Sequence, residues 1–364
     1  MAIGIFDSGY GGLTILKEIR KRLPEYDYLY LGDNARAPYG TRSFDVVYHY
    51  TLQAVEELFR RGCHLVILAC NTASAKALRT IQQNDLKRID PSRRVLGVIR
   101  PTVEALPNSS KSGHVGLLAT EGTVLSHSYA IELEKMAPDM FIVEHACPMW
   151  VPLIENNEGN KPGADYFIKK DIEELLEQDP EIDTIVLGCT HYPIILEKIK
   201  QFTQNAKVIS QGKIVAESLS DYFIRHPEIE TKCSKNGTVL YLTTEDSHKF
   251  NNMASNFIGD EVESRHIDLP VSNSTAKDPS LIEKIKTETP EEAVKMLDAY
   301  ITLYPEDEEA YTLRGLRHWA LGHRALAIKD YLAAIAINPE SKAKMALKAA
   351  NDILDYYNKD LLNP

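Results

Sequence analysis

Two short apolar runs, Leu65-Val66-Ile67-Leu68-Ala69 and Thr184-Ile185-Val186-Leu187-Gly188, each stop at a cysteine followed at once by polar side chains. The stops read Cys70-Asn71-Thr72 and Cys189-Thr190-His191. Taken singly, either cysteine is more often an inert buried residue than a catalyst, because free cysteine is among the most buried residue types. As a pair they allow three chemistries. A redox disulfide commonly uses Cys-x-x-Cys, which the chain lacks. A nucleophilic hydrolase needs one thiol, with His191 or another histidine as its base. Two thiols on opposite sides of one carbon can invert that carbon without a cofactor. One removes a proton as thiolate and the other delivers a proton from behind, each working best when poised near the operating pH.

Other polar groups end neighbouring apolar runs or lie just past them: Asp7 with Ser8, Asp33, Glu155 and Thr120. Asp7-Ser8-Gly9-Tyr10-Gly11-Gly12 joins an apolar run, Ala2 to Phe6, to a helical pattern at Leu13, Leu16, Ile19 and Leu23. Glycines there allow close backbone approach, and the free N–H groups of a helix start favour an anion. The stretch lacks the Lys-Ser/Thr of a phosphate loop and the spacing of a dinucleotide fingerprint. A small carboxylate is therefore favoured over a phosphate, with a plain turn as the bland alternative. A carboxylate beside a thiol raises the thiol's pKa, so Asp7 suits a substrate ammonium or a proton relay better than thiol activation. Pro38-Tyr39-Gly40 either walls a pocket with an aromatic hydroxyl or is a surface turn shaped by Pro and Gly.

The elements that must position these groups follow from pattern. Apolar runs without alternation read as strands buried on both faces, as in parallel sheets. Ligands of open parallel sheets bind at the carboxyl ends of strands, where both cysteines fall. Strand and helix patterns alternate through residue 243, the signature of an α/β fold, and a cysteine-ended strand in each half predicts two similar lobes with a cleft between them. Residues 43–61 predict an amphipathic helix, and Pro107 to Gly113 a crossing between lobes.

The chain has 364 residues, 44% hydrophobic and 26% charged, and a formal charge of −11, which argues against broad nucleic-acid or anionic-membrane binding. No apolar run approaches the ~18 residues of a membrane span, and the N-terminus reads as a strand rather than a signal peptide. Five cysteines (Cys63, Cys70, Cys147, Cys189, Cys233) form an odd, sparse set. That fits reduced thiols in a cytoplasm better than a disulfide framework or a metal site. Beyond about residue 290 the pattern is helical only. Tyr311, Gly315, Ala327, Tyr331, Ala334 and Pro339 match tetratricopeptide spacing, with departures at Arg314 and His318. Ala293, Leu297, Tyr300 and Pro305 fit part of an earlier repeat, and 340–357 a closing helix. One and a half repeats fall short of the ~3 that stand alone, so the extension is expected to pack on the body, another subunit or a protein partner.

Together the motifs resemble the cofactor-independent aspartate/glutamate racemase superfamily, and within it the glutamate racemases. The residues that carry the resemblance are Asp7 through Thr14, Gly32-Asp33 with Pro38-Tyr39-Gly40, Ala69 through Ala75, Cys147-Pro148 through Glu155, and Leu187 through Pro193. The resemblance implies two α/β lobes with an interlobe site: lobe A from 1–98 and 206–269, lobe B from 99–205. Residues 270–289 are then a linker and 290–364 the tetratricopeptide-like extension, about which the resemblance says nothing. It implies two-base racemisation of glutamate feeding peptidoglycan synthesis in a bacterial cytoplasm, without cofactor or metal, commonly in a homodimer. Cys70 would take the α-proton of D-glutamate and Cys189 that of L-glutamate, assisted by Asp7, Asp33, Glu155 and His191. Ser8, Pro38, Tyr39, Gly40, Asn71, Thr72, Thr120 and Thr190 would join Asp7, His191 and the cysteines around the substrate. Aspartate is the alternative substrate, and a racemase-like binding scaffold the alternative role. Ile209-Ser210-Gln211-Gly212 and Ile99-Arg100-Pro101-Thr102 depart from the family pattern.

Overall fold

In the computed structural model, residues 1–203, 205–269, 279–304 and 307–351 are described. The chain divides into two units, Met1–Val271 and Ser272–Pro364. Among the described residues ten strands lie in the first: β1 (Ile3–Asp7), β2 (Tyr28–Gly32), β3 (Leu65–Leu68), β4 (Arg94–Gly97), β5 (His114–Ala119), β6 (Phe141–Ala146), β7 (Thr184–Gly188), β8 (Lys207–Ile209), β9 (Val239–Thr243) and β10 (Ser264–His266). They form two wholly parallel sheets, ordered β10-β9-β2-β1-β3-β4 and β6-β5-β7-β8. Every residue of β1, β2, β3 and β7 is buried. That is why Ile-Gly-Ile-Phe, Tyr-Leu-Tyr-Leu, Leu-Val-Ile-Leu and Ile-Val-Leu run without polar alternation: these strands are covered on both faces.

The helices follow from capping and periodicity. Phe44–Arg60 starts where the Ser43 hydroxyl accepts from the Val46 N–H, and it buries Val47, Leu52, Val55 and Leu58 against the first sheet. Gly12–Arg22 buries Leu13, Ile15, Leu16 and Ile19 and carries Arg20, Lys21 and Arg22 in its last turn, where cations offset the helix dipole. The expected helix from Asn71 is broken into Asn71–Lys76, Leu78–Thr80, a π turn Ile81–Asp85 and Leu86–Ile89.

Two expected boundaries are corrected. Residues 207–209 belong to the second sheet, because β8 pairs with β7 at Thr184↔Lys207, Ile185↔Val208 and Val186↔Ile209. The return to the first lobe comes after β8, through the helix Gln211–Arg225, which packs on Gly12–Arg22. The expected linker 270–289 also contains structure: Pro279–Thr287 is a helix whose Ile282 and Ile285 join a core with Ala293, Leu297 and Tyr300. Its other part, Pro270 to Asp278, lies outside the described residues, as do Pro305 and the end of the expected closing helix beyond 351.

In the second unit, helices Pro290–Leu303, Glu308–Ala320 and Arg324–Ile337 follow one another, and residues 343–351 are helical. Gly315 lies so close to Tyr331 that an added Cβ would stand 2.5 Å from its ring. Ala327, Tyr331 and Ala334 are buried in that contact. Arg314, a departure from repeat spacing, is held by Asp298 and Asp330, each at 2.7 Å. Among the described residues no helix is long and apolar enough to cross a membrane.

Candidate active site

The expected site residues stand at strand carboxyl ends. β1 stops at Asp7 and β2 at Gly32, just before Asp33. β3 leads into Cys70, β5 into Thr120 and β7 into Cys189. Asp7 is fully buried; its Oδ2 accepts from the Gly9 N–H at 2.9 Å, and its Oδ1 accepts from the Thr190 hydroxyl at 3.4 Å. The second of these bonds runs from one sheet to the other. Burial raises the Asp7 carboxyl above the usual range, with His191 pulling the other way.

Around Cys70 the surroundings are neutral donors. The Ser8 hydroxyl lies 3.4 Å from Sγ, and the Ala73 N–H donates to it at 3.4 Å, making Cys70 the N-cap of Asn71–Lys76. Burial, then the Asp7 charge, push the Cys70 thiol up to about 12; the charge of Cys189 adds to the rise, so the two sulfurs feel one another. Cys70 is therefore a protonated thiol near neutral pH, able to donate before it accepts.

Around Cys189 the surroundings are ionic. Its Sγ lies 3.9 Å from His191 Nδ1, and His191 Nε2 lies 2.9 Å from Glu155 Oε1. Burial alone would push His191 down. Its bonds to Cys189 and Glu155 outweigh that and bring it up to about 10, so the ring is a cation at neutral pH. The edge of the ring meets Phe257 at 88° and 5.5 Å, which fixes its plane. Gly11 passes just beneath: a Cβ there would stand 2.5 Å from His191 Nδ1 and overlap the Thr190 hydroxyl.

Asp7, Ser8, Cys70, Thr190, Cys189, His191 and Glu155 thus form one chain of contacts. Asp33 and Tyr39 form a second. The Asp33 carboxylate accepts from Arg36 Nε at 2.7 Å, from the Thr244 hydroxyl at 2.9 Å and from the Tyr39 hydroxyl. Burial and this carboxylate push the Tyr39 phenol well above its ordinary value. Asp33, expected among the assisting acids, holds the 34–40 loop through these bonds. Thr72 and Thr120, one from each lobe, meet at 3.0 Å, and Gly40 O accepts from the Gly122 N–H at 2.8 Å. Pro38, expected at the substrate, is exposed and follows a cis peptide bond.

Sequence reasoning passed over several groups. Thr244 lies one residue beyond the carboxyl end of β9, where the strand-end rule alone would have found it. Thr14, whose hydroxyl donates to the Thr190 carbonyl at 2.9 Å, stands in the first motif but was given no role. Gln211 was visible only as a departure, yet its amide reaches Asn71, Thr102 and Tyr129. At the other departure, Arg100 pairs with Glu104 at 3.0 Å, and Arg100 and Pro101 line a cavity of about 760 Å³ that neither Cys70 nor Cys189 borders.

Comparison with known proteins bears on the whole arrangement. The model of the Asp/Glu/Hydantoin racemase family matches residues 13–219. A glutamate racemase of Ruegeria pomeroyi is 42% identical over 270 residues, covering 71% of this chain and 97% of its own. One from Ruegeria sp. (strain TM1040) is 40% identical over 273 residues, covering 72% and 98%. Among solved structures, a glutamate racemase isoform of Bacillus anthracis superposes with a TM-score of 0.68 at 32% identity, over 74% of this chain and 98% of that one. The Francisella tularensis glutamate racemase in complex with D-glutamate gives 0.66 at 30%, over the same shares.

Proposed function

The chain belongs to the Asp/Glu/hydantoin racemase family, and from that premise we propose that it interconverts L- and D-glutamate by two-base proton transfer between Cys70 and Cys189. In the D-to-L direction the Cys70 thiolate takes the α-hydrogen as a proton. The Cα–H bond breaks, an S–H bond forms, and the electron pair stays on the carbon. The Cys189 thiol then gives its proton to the opposite face and is left as thiolate. The L-to-D direction runs the same steps in reverse, so each turnover exchanges the protonation states of the two sulfurs.

The observation that carries this reading is that each thiol has its own partner set at its own strand end: Ser8 and the Ala73 N–H at Cys70, and the His191–Glu155 pair at Cys189. A nucleophilic thiol would need one such set, and a two-base inversion needs two. In this reading Asp7 manages the substrate ammonium or passes a proton toward Cys70, a role that the rise of its carboxyl on burial supports. Thr72, Thr120 and Thr190 offer hydroxyls and Asn71 an amide for the substrate carboxylates. The chemistry calls on no cofactor.

Aspartate differs from glutamate by one methylene, a difference that pockets discriminate by only ~1–3 kcal/mol. Incubation of the protein with L-glutamate and with L-aspartate in D₂O, without added cofactor, decides between them. Solvent deuterium should enter Cα of glutamate with formation of the D-isomer; its entry into aspartate alone would overturn the assignment. The relatives' shared name supports D-glutamate supply for peptidoglycan as the role, and five free, buried cysteines support a reducing cytoplasm as the place. A homodimer is part of the same reading, tested by sedimentation.

The helical extension is read as a docking element for a protein partner. Leu316, Leu326, Leu332 and Met345, all exposed apolar side chains on its helices, support this. Cutting the chain after Leu269 should leave racemisation intact and abolish partner binding. Loss of activity in a folded truncate would assign the extension to the enzyme itself.

A further inference from the structure

Gln211 is almost fully buried at the start of the helix Gln211–Arg225, and the thiol chemistry as described makes no use of it. Its amide is placed so that the direction of every hydrogen bond can be read. The Thr102 hydroxyl donates to Val98 O at 2.7 Å, so its oxygen is left to accept from Gln211 Nε2 at 2.9 Å. The Tyr129 hydroxyl donates to Asn71 Oδ1 at 2.7 Å, so it too accepts from Gln211 Nε2, at 2.7 Å. Both Nε2 hydrogens are thereby used, and the longer approaches of Nε2 to Asn71 Oδ1 at 3.2 Å and to Val98 O at 3.5 Å only share them. Gln211 Oε1 in turn accepts from Asn71 Nδ2 at 2.6 Å. Gln211, Tyr129 and Asn71 form a closed ring, each donating to the next. Turning the Gln211 amide over would set two N–H groups against one another at Asn71, so only one orientation satisfies the ring.

The ring joins the lobes. Asn71 follows β3 in the first, Thr102 and Tyr129 lie on the second lobe's helices Ile99–Glu104 and Ser128–Met136, and Gln211 sits where the chain crosses back. Asn71 is also the residue after Cys70 and opens the helix that Cys70 caps. Fixing the Asn71 side chain fixes the turn that sets the Cys70 sulfur against Ser8 and the Ala73 N–H. The neighbour of the other thiol, Thr190, is tied instead to Asp7. Through the chain the ring is joined to Cys70; Tyr129 also feels the charge of Cys189, but no hydrogen bond of the ring reaches that side.

We infer that Gln211 is a positioning residue for the Cys70 proton transfer, acting through Asn71 and Tyr129; the inference rests on the two-thiol reading above. The equilibrium constant between mirror-image substrates is one, so kcat/KM must be equal in the two directions for any variant. A one-sided defect shows instead in the α-deuterium isotope effects. Slowing the Cys70 transfer makes it more rate-limiting, which raises the effect with D-[2-²H]glutamate and lowers that with L-[2-²H]glutamate.

The test compares wild type, Gln211→Met, which keeps the length and removes every hydrogen bond, and Tyr129→Phe, which removes one hydroxyl. Each single variant should lose roughly 10- to 100-fold in kcat/KM, the scale of a small misplacement of a reacting group. Each should shift the two isotope effects in opposite directions, and the double variant should fall less than the product of the singles, as members of one network do. Losses that leave both isotope effects at wild-type values, or no loss in either variant, would overturn the inference. A wild-type protein that exchanges no α-hydrogen of glutamate would instead overturn the two-thiol reading, and this inference with it.

Discussion

His191 Nε2 lies 2.9 Å from Glu155 Oε1, while the opposite ring nitrogen faces Cys189 at 3.9 Å. The imidazole thus sits between a carboxylate and a sulfur, and both hold its proton against the cost of burial. Its pKa is raised to about 10. A raised histidine pKa stabilises the fold fully below the unfolded value near ~6.5, and that contribution is lost as pH rises through the folded value. The stability difference between wild type and His191→Gln should therefore shrink as pH is taken from 6.5 to 10 in urea titrations. Glu155→Gln removes one of the two groups that raise His191, so the alkaline limb of its kcat profile should begin at lower pH than in wild type. An unmoved limb would show that His191 protonation does not govern turnover.

Cys70→Ser and Cys189→Ser should each lower racemisation by roughly 10²–10⁴-fold, the range for loss of a positioned acid–base group. A hydroxyl is a far weaker acid than a thiol, so each variant still holds one competent thiol and one inadequate group. Either variant should retain one-sided exchange of the α-hydrogen with solvent, visible by NMR in D₂O. Wild-type rates in both variants would rule out the two-base route.

Gly11→Ala places a methyl group against the Thr190 hydroxyl and His191 Nδ1, both on the opposite strand end. Overpacking of this kind costs about 1–3 kcal/mol. Here the atoms displaced are the ones that orient Cys189 and bind Asp7, so kcat should fall further than stability does. Thermal denaturation beside steady-state kinetics reads both.

Asp33→Asn leaves Arg36 without its carboxylate and replaces one acceptor of the Tyr39 hydroxyl by an amide. Removing one partner of a buried ion pair costs about 3–5 kcal/mol; the partly exposed Arg36 places this site at the lower end. The loss should appear as a lowered urea midpoint. Tyr39→Phe, which removes only the hydroxyl that donates to Asp33, should cost less, near the ~1 kcal/mol of a single hydrogen bond, or up to ~3 with a charged acceptor.

Much of the site was legible because one physical rule generates it. Parallel strands buried on both faces are written as continuous apolar runs, and function gathers where such runs stop. Asp7, Cys70, Thr120 and Cys189 could all be found that way. Less legible was what each group faces. Nothing in Asp33-Asn34-Ala35-Arg36 tells that the acid closes a loop through Arg36 and Thr244, because Thr244 is brought up by pairing of β2 with β9. The sheet membership of Lys207–Ile209 was misread for a similar reason: three residues carry too little pattern to say which neighbour they pair with, and β7 decides it. Gln211 looked like a local exception. Its meaning lay in Asn71, Thr102 and Tyr129, which only the closing of the two lobes brings within 3 Å of it.

The six-stranded sheet takes four strands from the start of the first unit and two from its end, with the whole four-stranded sheet between them in sequence. That order has a consequence for synthesis. As the chain leaves the ribosome, the inner sheet has all its strands once Ile209 has emerged, whereas the β9 side of Tyr28–Gly32 stays open until Val239–Thr243 arrives. The lobe holding Cys189 can settle first, and the lobe holding Cys70 waits with an unpaired apolar edge, the kind of exposure that invites aggregation. A nascent chain stalled near residue 230 is thus the species with most need of a chaperone, and the two halves of one active site are born at different times.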